Sequence, residues 1–394
     1  MSQGYKKIIN ISLFFYLILS IFLLIFKSTK LNDFSISEML INYNGGLIAR
    51  GFLGHLIFNI HEFLNINLIK LVLSVQIFFS VLYTFLLYKI FNKKNLLLTK
   101  LDVLILLLPT LLFFPIYEIE GLGRKEILIF ITYCYLILRN KVPSKKITLI
   151  YSLAILPMLV LSWELTILYF PFYFIVFWTQ YRVMSLIDSF KIFAIFLPGL
   201  LAFLILWFNP PDQNTLDVMC KTINCLGRAL ELENFNIHFA HFDYVHNKAS
   251  FVNYFRFLIF FLLSYLPIYF YLKKIINTKI NLFLVSKFSN LNYLFLLMII
   301  PQLIIFIFAL DWGRYLNILI TMTYLLLIFF RTSNIIPNIR EFKIFNLNEK
   351  YINFLIIIYC FSWYPKLLLW YDTGSFPILR LINRIKDISY NLII

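Results

Sequence analysis

Long apolar runs separated by short polar segments form the main pattern along this chain. About eleven of these runs approach the roughly 20 residues that a helix needs to cross a bilayer. They lie near residues 8–26, 68–91, 101–117, 127–139, 147–162, 166–178, 192–208, 255–272, 291–310, 315–330 and 351–369. The pattern predicts an all-α fold, in which residues 1–394 form a single transmembrane domain with about eleven transmembrane helices.

The first apolar run follows Lys6 and Lys7 and has nearly full spanning length. A secretory signal peptide is the alternative, because such peptides also place positive charges before an apolar stretch. The run lacks a small-residue cleavage site, however, and signal peptides have shorter apolar cores. We therefore expect a retained first helix with the N-terminus on the cytoplasmic side.

The polar segments between the runs fall into two chemically different sets. One set is rich in Lys and Arg and poor in acids, as cytoplasmic loops are, and comprises residues 92–100, 140–146, 179–191, 273–290 and 331–350. The other set holds all five histidines and most of the carboxylates, and comprises residues 27–67, 118–126, 162–165, 209–254 and 311–314. We expect the chemistry of the protein on the face formed by this second set, the non-cytoplasmic face.

The composition agrees with lipid as the solvent of most side chains. The chain is 61% hydrophobic and 14% charged, whereas soluble domains average roughly 45–50% apolar and about 25% charged residues. A net charge of +16 would suggest nucleic-acid binding in a soluble protein, but here the Lys residues lie in short loops between apolar runs. We expect no nucleic-acid partner, and the chain has no GxGxxG or P-loop motif that would indicate a cofactor.

Arginine stands next to glycine four times, always in the predicted outer loops. Glycine lets a backbone N–H approach a ligand closely, and the arginine fork matches the oxygens of phosphate or carboxylate groups. Anchoring of helix ends at lipid headgroups is the alternative. The pairs predict binding of an anionic substrate by Arg50 with Gly51, Arg124 with the neighbouring Lys125, Arg228, and Arg314.

A helical projection of the segment after Gly45-Gly46 predicts an interfacial helix in the first outer loop, residues 27–67. Apolar side chains from Phe52 to Leu64 fall on one side, and Arg50, Gly51, Gly54 and His55 fall on the other. Such a helix would lie along the outer leaflet, which membrane anchoring alone explains. Gly51 and His55 beside Arg50 also suggest that a lipid-linked headgroup comes close.

Three carboxylates in these loops are candidate catalytic bases: Glu120, Glu164 and Asp311. A carboxylate partly removed from water has a raised pKa and accepts a proton from a sugar hydroxyl more readily. The alternative is ion pairing, of Glu120 with Arg124 and of Asp311 with Arg314.

The longest predicted outer loop, residues 209–254, contains three histidines within nine residues. Their spacing matches no zinc signature, so we predict no metal site and assign His241 to hydrogen bonding with substrate. Cys220 and Cys225 predict a disulfide if this loop faces an oxidising periplasm.

Several short outer-face patches together resemble Wzy-type polymerases of bacterial O-antigen and capsular polysaccharides. The resemblance covers scattered stretches over most of the chain rather than one long match. Many relatives have two adjacent arginines where this chain has Ala49-Arg50. The patches are Asn42-Tyr43-Asn44-Gly45-Gly46, Ala49-Arg50-Gly51-Phe52-Leu53-Gly54, Gly123-Arg124-Lys125-Glu126, Trp163-Glu164 and Asp311-Trp312-Gly313-Arg314-Tyr315.

The resemblance implies a multi-pass protein of the bacterial inner membrane with its active face in the periplasm. Its implied reaction moves a glycan from undecaprenyl diphosphate onto a new lipid-linked repeat unit. Implied partners are the undecaprenyl-diphosphate-linked oligosaccharide, the lipid bilayer, and a chain-length regulator and flippase of the same pathway.

Two other functions are consistent with parts of the pattern. A membrane glycosyltransferase of the GT-C kind would add one sugar from a polyprenyl-phosphate donor, and such enzymes place acids in the first outer loop, where Asp33 and Glu38 lie. A flippase of lipid-linked oligosaccharide would need charged residues within its spans. The predicted spans are nearly free of charge, which argues against transport.

Overall fold

The computed structural model describes residues 2–29, 34–139, 143–182, 186–223, 249–275, 291–308, 311–336 and 349–368. Helices and connecting turns account for all of these residues, and no strand occurs among them. The observed secondary structure therefore agrees with the predicted all-α fold.

The helices are numbered here in chain order along the described ranges. They are α1 (Ser2–Ser28), α2 (Phe34–Leu40), α3 (Gly51–Leu64), α4 (Leu68–Phe91), α5 (Lys100–Leu106), α6 (Phe114–Tyr117), α7 (Ile127–Leu138), α8 (Lys145–Ser162), α9 (Phe170–Tyr181), α10 (Leu186–Ala194), α11 (Leu197–Phe208), α12 (Gln213–Ile223), α13 (Phe251–Ile275), α14 (Leu291–Phe308), α15 (Trp312–Thr332) and α16 (Glu349–Phe361). Short 3₁₀ helices cover Ile119–Gly121 and Glu164–Tyr169, and α8 contains a π-helical turn at Tyr151–Ile155.

Five of the described helices are long and apolar enough to cross a membrane: α1, α4, α8, α13 and α15. Helices α10 and α11 form a sixth candidate span, which is bent by 51° at the break between them. Helices α7 and α16 are apolar but shorter. The structure thus supports a membrane protein, and the number of about eleven spans stays a prediction.

The apolar run at 101–117 is divided into α5 and α6 by a turn. Pro109 lies in this turn, where its missing N–H and its ring oppose a continuous helix. A capping box starts α5, because the Thr99 side chain accepts from the Asp102 N–H while the Asp102 carboxylate accepts from Thr99. Local sequence therefore breaks a segment whose hydropathy alone favours one span.

The described residues divide into two compact units. We call them the first unit (the described residues within 1–20, 87–121 and 241–394) and the second unit (the described residues within 21–86 and 122–240). Within the first unit, Arg331 near the end of α15 pairs with Asp102 of α5 at 2.5 Å, and both side chains are buried. The Tyr324 hydroxyl donates to the same carboxylate at 3.2 Å. This buried charge pair joins two helices that are far apart in sequence.

In the second unit, α2 and α3 pack at very close range through a glycine. A Cβ added at Gly54 would overlap the carbonyl group of Ile41, so only glycine allows this approach. The other side of α3 carries exposed apolar side chains, with Phe63 86% exposed. The predicted helix is present, but its glycine-bearing side is covered by protein rather than open to a headgroup.

Candidate functional site

A group of buried ionisable side chains lies in the second unit, and we call it the charge cluster. Glu38, Lys125 and Arg50 are 0%, 1% and 3% exposed, and Arg124 is also buried. The Glu164 side chain is 12% exposed and is the most accessible of the set. Burial of charged groups requires partners of opposite charge, and the members of the cluster, Glu38, Arg50, Arg124, Lys125 and Glu164, supply them.

The shortest ion pair of the cluster joins Arg50 to Glu164. The Arg50 Nε donates to both carboxylate oxygens at 3.0 Å, and one terminal nitrogen donates to Oε1 at 2.5 Å. This fork geometry fixes the relative orientation of the two planar groups, which a lysine could not do.

Glu38 lies between the two arginines of the cluster. Its Oε1 is 3.6 Å from a terminal nitrogen of Arg50, and its Oε2 is 3.6 Å from a terminal nitrogen of Arg124. One buried carboxylate therefore holds two guanidinium groups close together despite their mutual repulsion.

Lys125 is attached to the cluster through the main chain of Arg50. Its Nζ donates to the Arg50 carbonyl oxygen at 2.5 Å. Burial lowers the pKa of Lys125 to about 7, an effect that Arg50 strengthens and that the carboxylates of Glu38, Glu164 and Glu126 oppose. This lysine therefore loses its proton far more readily than an exposed lysine does.

Arg50 has a left-handed backbone, with φ 67° and ψ 8°, immediately before α3. A non-glycine residue in this region costs on the order of 1–3 kcal/mol and persists only where its surroundings hold it. Here the Lys125 ammonium holds the Arg50 carbonyl and the Glu164 carboxylate holds its side chain. The strained residue is thus fixed from both ends.

Arg124 and Lys125 lie in the segment that precedes α7, and two polar side chains hold this segment in place. Gln76 donates to the carbonyl oxygen of Gly123 at 2.8 Å, and Lys27 donates to that of Leu122 at 2.9 Å. Gly123 has φ +77°, and a Cβ there would approach Gln76 to 2.6 Å. Only glycine fits this tight turn before α7.

Glu164 reaches Arg50 because α8 ends sharply at Ser162. Trp163 adopts an extended backbone, and the 3₁₀ helix that begins with Glu164 follows it directly. The Trp163 ring is buried and stacks on Tyr169 with a centroid distance of 6.0 Å. This tryptophan therefore packs the corner between α8 and the 3₁₀ helix.

Gly51 and His55, at the start of α3, lie against Tyr43. The Tyr43 ring covers the position that a Cβ of Gly51 would take, and its centroid is 5.5 Å from that of the His55 ring. Burial raises the pKa of the Tyr43 hydroxyl. The His55 Nδ1 is buried and has no hydrogen-bond partner among the described residues.

The remaining described candidates belong to the first unit. Asp311 precedes α15 and forms an ion pair with Arg314 at 3.1 Å, which is the pairing that the sequence offered as the alternative to catalysis. The Arg314 guanidinium also donates to the Tyr315 hydroxyl at 3.2 Å. Glu120 is exposed in the 3₁₀ helix Ile119–Gly121. Of the predicted anion-binding arginines, Arg50 and Arg124 therefore lie in the second unit and Arg314 lies in the first.

Three further candidates, Arg228, His241 and Cys225, lie outside the described residues, and so does Asp33, the other acid that the GT-C hypothesis named. Cys220 is disulfide-bonded, whereas Cys134 and Cys360 are free. The pairing of Cys220 with Cys225 stays a prediction. Over the described ranges, no group of three or more His, Cys, Asp or Glu side chains is placed to hold a metal ion.

Glu38 is the member of the cluster that the sequence did not single out for the polymerase reaction. Its only signal was its position as an acid in the first predicted outer loop. Its partners Arg50 and Arg124 are brought to it by the fold, not by sequence proximity.

The charge cluster combines two kinds of chemical group in one place: guanidinium groups, which suit anionic oxygens, and a partly exposed carboxylate, which suits proton transfer. All five members come from the loops that the charge pattern assigned to the outer side. No protein-family model, no curated protein and no solved structure matches the chain.

Proposed function

We propose that the chain is a membrane glycosyltransferase that polymerises a surface polysaccharide, O-antigen or capsule, at the periplasmic face of the bacterial inner membrane. The donor would be a glycan on undecaprenyl diphosphate, and the acceptor a new lipid-linked repeat unit. The observation that carries the proposal is the charge cluster, in which two arginines and a buried lysine accompany a partly exposed carboxylate.

The arginines suit the leaving group of this reaction. When the bond between the anomeric carbon and the diphosphate oxygen breaks, one further negative charge develops on undecaprenyl diphosphate. Arg50 and Arg124, which Glu38 holds close to each other, would stabilise this charge in a site with little water.

Glu164 suits the role of the base. The acceptor hydroxyl oxygen would form the new bond to the anomeric carbon, and its proton would pass to the Glu164 carboxylate. Glu164 is the most accessible carboxylate of the cluster, and the Arg50 fork orients it.

The surface beside the cluster suits a lipid-linked substrate. Helix α3 starts directly after Arg50 and exposes Leu56, Ile60 and Phe63 along its length. An apolar helix side of this kind inserts into the boundary between headgroups and acyl chains. The polyprenyl chain would then remain in the bilayer while its diphosphate reaches the cluster.

Reconstitution tests the proposal. The purified chain in lipid nanodiscs is supplied with undecaprenyl-diphosphate-linked repeat units from a strain that lacks this gene. We expect longer lipid-linked glycans and one undecaprenyl diphosphate released per bond formed. Glu164→Gln should bind the substrate but lose most of the rate, whereas Glu62→Gln, at an exposed position of α3, should not. An unchanged rate in Glu164→Gln would exclude it as the base.

A second candidate function is supported by the position of Glu38. A GT-C-type enzyme adds a single sugar from a polyprenyl-phosphate donor and would use an acid of the first outer loop. Glu38 is such an acid, and it is fully buried between Arg50 and Arg124. Transfer of one sugar from a polyprenyl monophosphate, without growth of the chain in the same nanodiscs, would favour this function over polymerisation.

A further inference from the structure

Lys125 differs from the two arginines of the cluster in its hydrogen-bond partner, which is a main-chain carbonyl oxygen and not a carboxylate. Its side chain is 1% exposed, and its Nζ binds the carbonyl oxygen of Arg50. The accessible edge of the cluster is at Glu164, where the Arg50 fork lies. Lys125 is therefore placed to act on a ligand at that edge through Arg50 and through its own charge.

Among the cluster members and Glu126, the formal charges balance only while Lys125 carries its proton. The carboxylates that face it come from α2 (Glu38), from the corner after α8 (Glu164) and from its own segment (Glu126), and Arg50 faces it as a like charge. With Arg124, three cations stand against three carboxylates. Without the lysine proton, two cations remain, and an anionic ligand would enter a site with excess negative charge.

A bound anion would raise the fraction of Lys125 that carries a proton. Burial lowers the pKa of Lys125 to about 7, so that the charged and neutral forms are both present at physiological pH. A nearby negative charge favours the ammonium form. By reciprocity, the ammonium form must then favour the anion.

We propose that Lys125 is a positioning residue that couples the binding of a diphosphate at the Arg50–Arg124 pair to the uptake of one proton. The protonated side chain holds the left-handed backbone of Arg50, keeps the guanidinium fork at the accessible edge and balances the charge of the ligand. The inference rests on the proposed function for its class of ligand, a lipid-linked diphosphate.

Calorimetry on the full chain in nanodiscs tests this coupling without turnover. Farnesyl diphosphate is titrated at pH 8 in two buffers with different ionisation enthalpies, which gives the number of protons taken up per ligand. We expect the wild type to take up close to one proton and its Kd to rise by up to about tenfold per pH unit above pH 7.

Lys125→Arg is the matched variant, because arginine keeps the charge and the donor but does not titrate in this range. It should bind with no proton uptake beyond that of the probe, and with a shallower pH dependence. Equal proton uptake in Lys125→Arg and the wild type would overturn the proposal. No uptake by the wild type at pH 8 would overturn it as well, even if the variant does not fold.

Two comparisons distinguish the role of Lys125 from the proposed ligand and from the proposed polymerase function. Inorganic pyrophosphate carries the same charged group without the lipid, and proton-coupled binding of pyrophosphate alone would contradict a lipid-linked ligand. Proton-coupled binding of farnesyl diphosphate without glycan elongation would contradict the proposed polymerase function and leave the role of Lys125 intact.

Discussion

Arg50 and Glu164, which lie 114 residues apart, are joined by a guanidinium–carboxylate fork with two hydrogen bonds at 3.0 Å and one at 2.5 Å. The arginine has a strained left-handed backbone, and the carboxylate follows a helix that ends abruptly. Strained residues that their surroundings hold firmly are frequent at functional sites. This pair therefore forms the centre of the proposed glycosyl-transfer site.

Arg50→Lys tests whether fork geometry, rather than charge alone, is required. Lysine keeps the charge but cannot donate to both oxygens of Glu164 in one plane. The loss of one charged hydrogen bond costs roughly 1.5–3 kcal/mol, so we expect the elongation rate to fall by about 10- to 150-fold. Arg139→Lys, at an exposed position where the arginine bonds Tyr135, is the control. Equal elongation rates for Arg50→Lys and Arg139→Lys would contradict a requirement for the Arg50–Glu164 fork geometry.

Gly54→Ala tests the close approach of α2 and α3. The added methyl group would overlap the backbone of Ile41, so the helices must separate, at a cost of about 1–3 kcal/mol or more. Gly4→Ala is the matched control, because a Cβ at Gly4 meets no atom within 4 Å. We expect a lower unfolding temperature for Gly54→Ala and an unchanged or higher one for Gly4→Ala. Equal thermal stability would contradict this packing.

Asp102→Asn tests the buried ion pair of the first unit. Removing one partner leaves the buried Arg331 charge uncompensated, which costs about 3–5 kcal/mol. Asp188→Asn is the control, because the Asp188–Lys191 pair is exposed on one helix and contributes less than about 1 kcal/mol. Denaturant or thermal unfolding in detergent should show a large loss only for Asp102→Asn. A small loss there would show that Arg331 finds other partners.

The buried Lys125 predicts a pH dependence of stability. Its pKa in the folded chain is about 7, below the ordinary value of 10.5, so between these values the unfolded chain binds more protons than the folded chain. Stability therefore rises with pH through this window. The unfolding temperature of the wild type, relative to Lys125→Met, should increase from pH 7 to pH 9. A constant difference would contradict the lowered pKa.

The hydropathy pattern predicted where helices occur better than it predicted whether each apolar run forms one unbroken helix. The run at 68–91 coincides with α4, Leu68–Phe91. The run at 101–117 is instead divided around Pro109, and the run at 192–208 is part of a bent pair of helices. Average hydropathy reports burial or lipid contact, whereas proline and capping side chains decide where a helix ends.

Most residues of the cluster could be predicted one by one as candidate site residues. The sequence did not predict which of them lie together. The glycine neighbours of Arg50 and Arg124 predicted that these arginines bind an anion. The position of Glu164 in a predicted outer loop made it a candidate base. Glu38 could be assigned only once the fold brought it between the two arginines. Arg314 also lies next to a glycine, but it belongs to the first unit and pairs with Asp311. The glycine–arginine motif alone does not predict this difference.

The proposed polymerisation is tested most directly by deleting the gene and analysing the surface polysaccharide by gel electrophoresis and mass spectrometry. We predict that the long-chain ladder disappears while a single repeat unit remains on its acceptor. The wild-type gene should restore the ladder, and the gene encoding Arg50→Ala should not, although the variant protein is present in the membrane. An unchanged ladder, or a full-length ladder whose repeats each lack one sugar, would contradict the account.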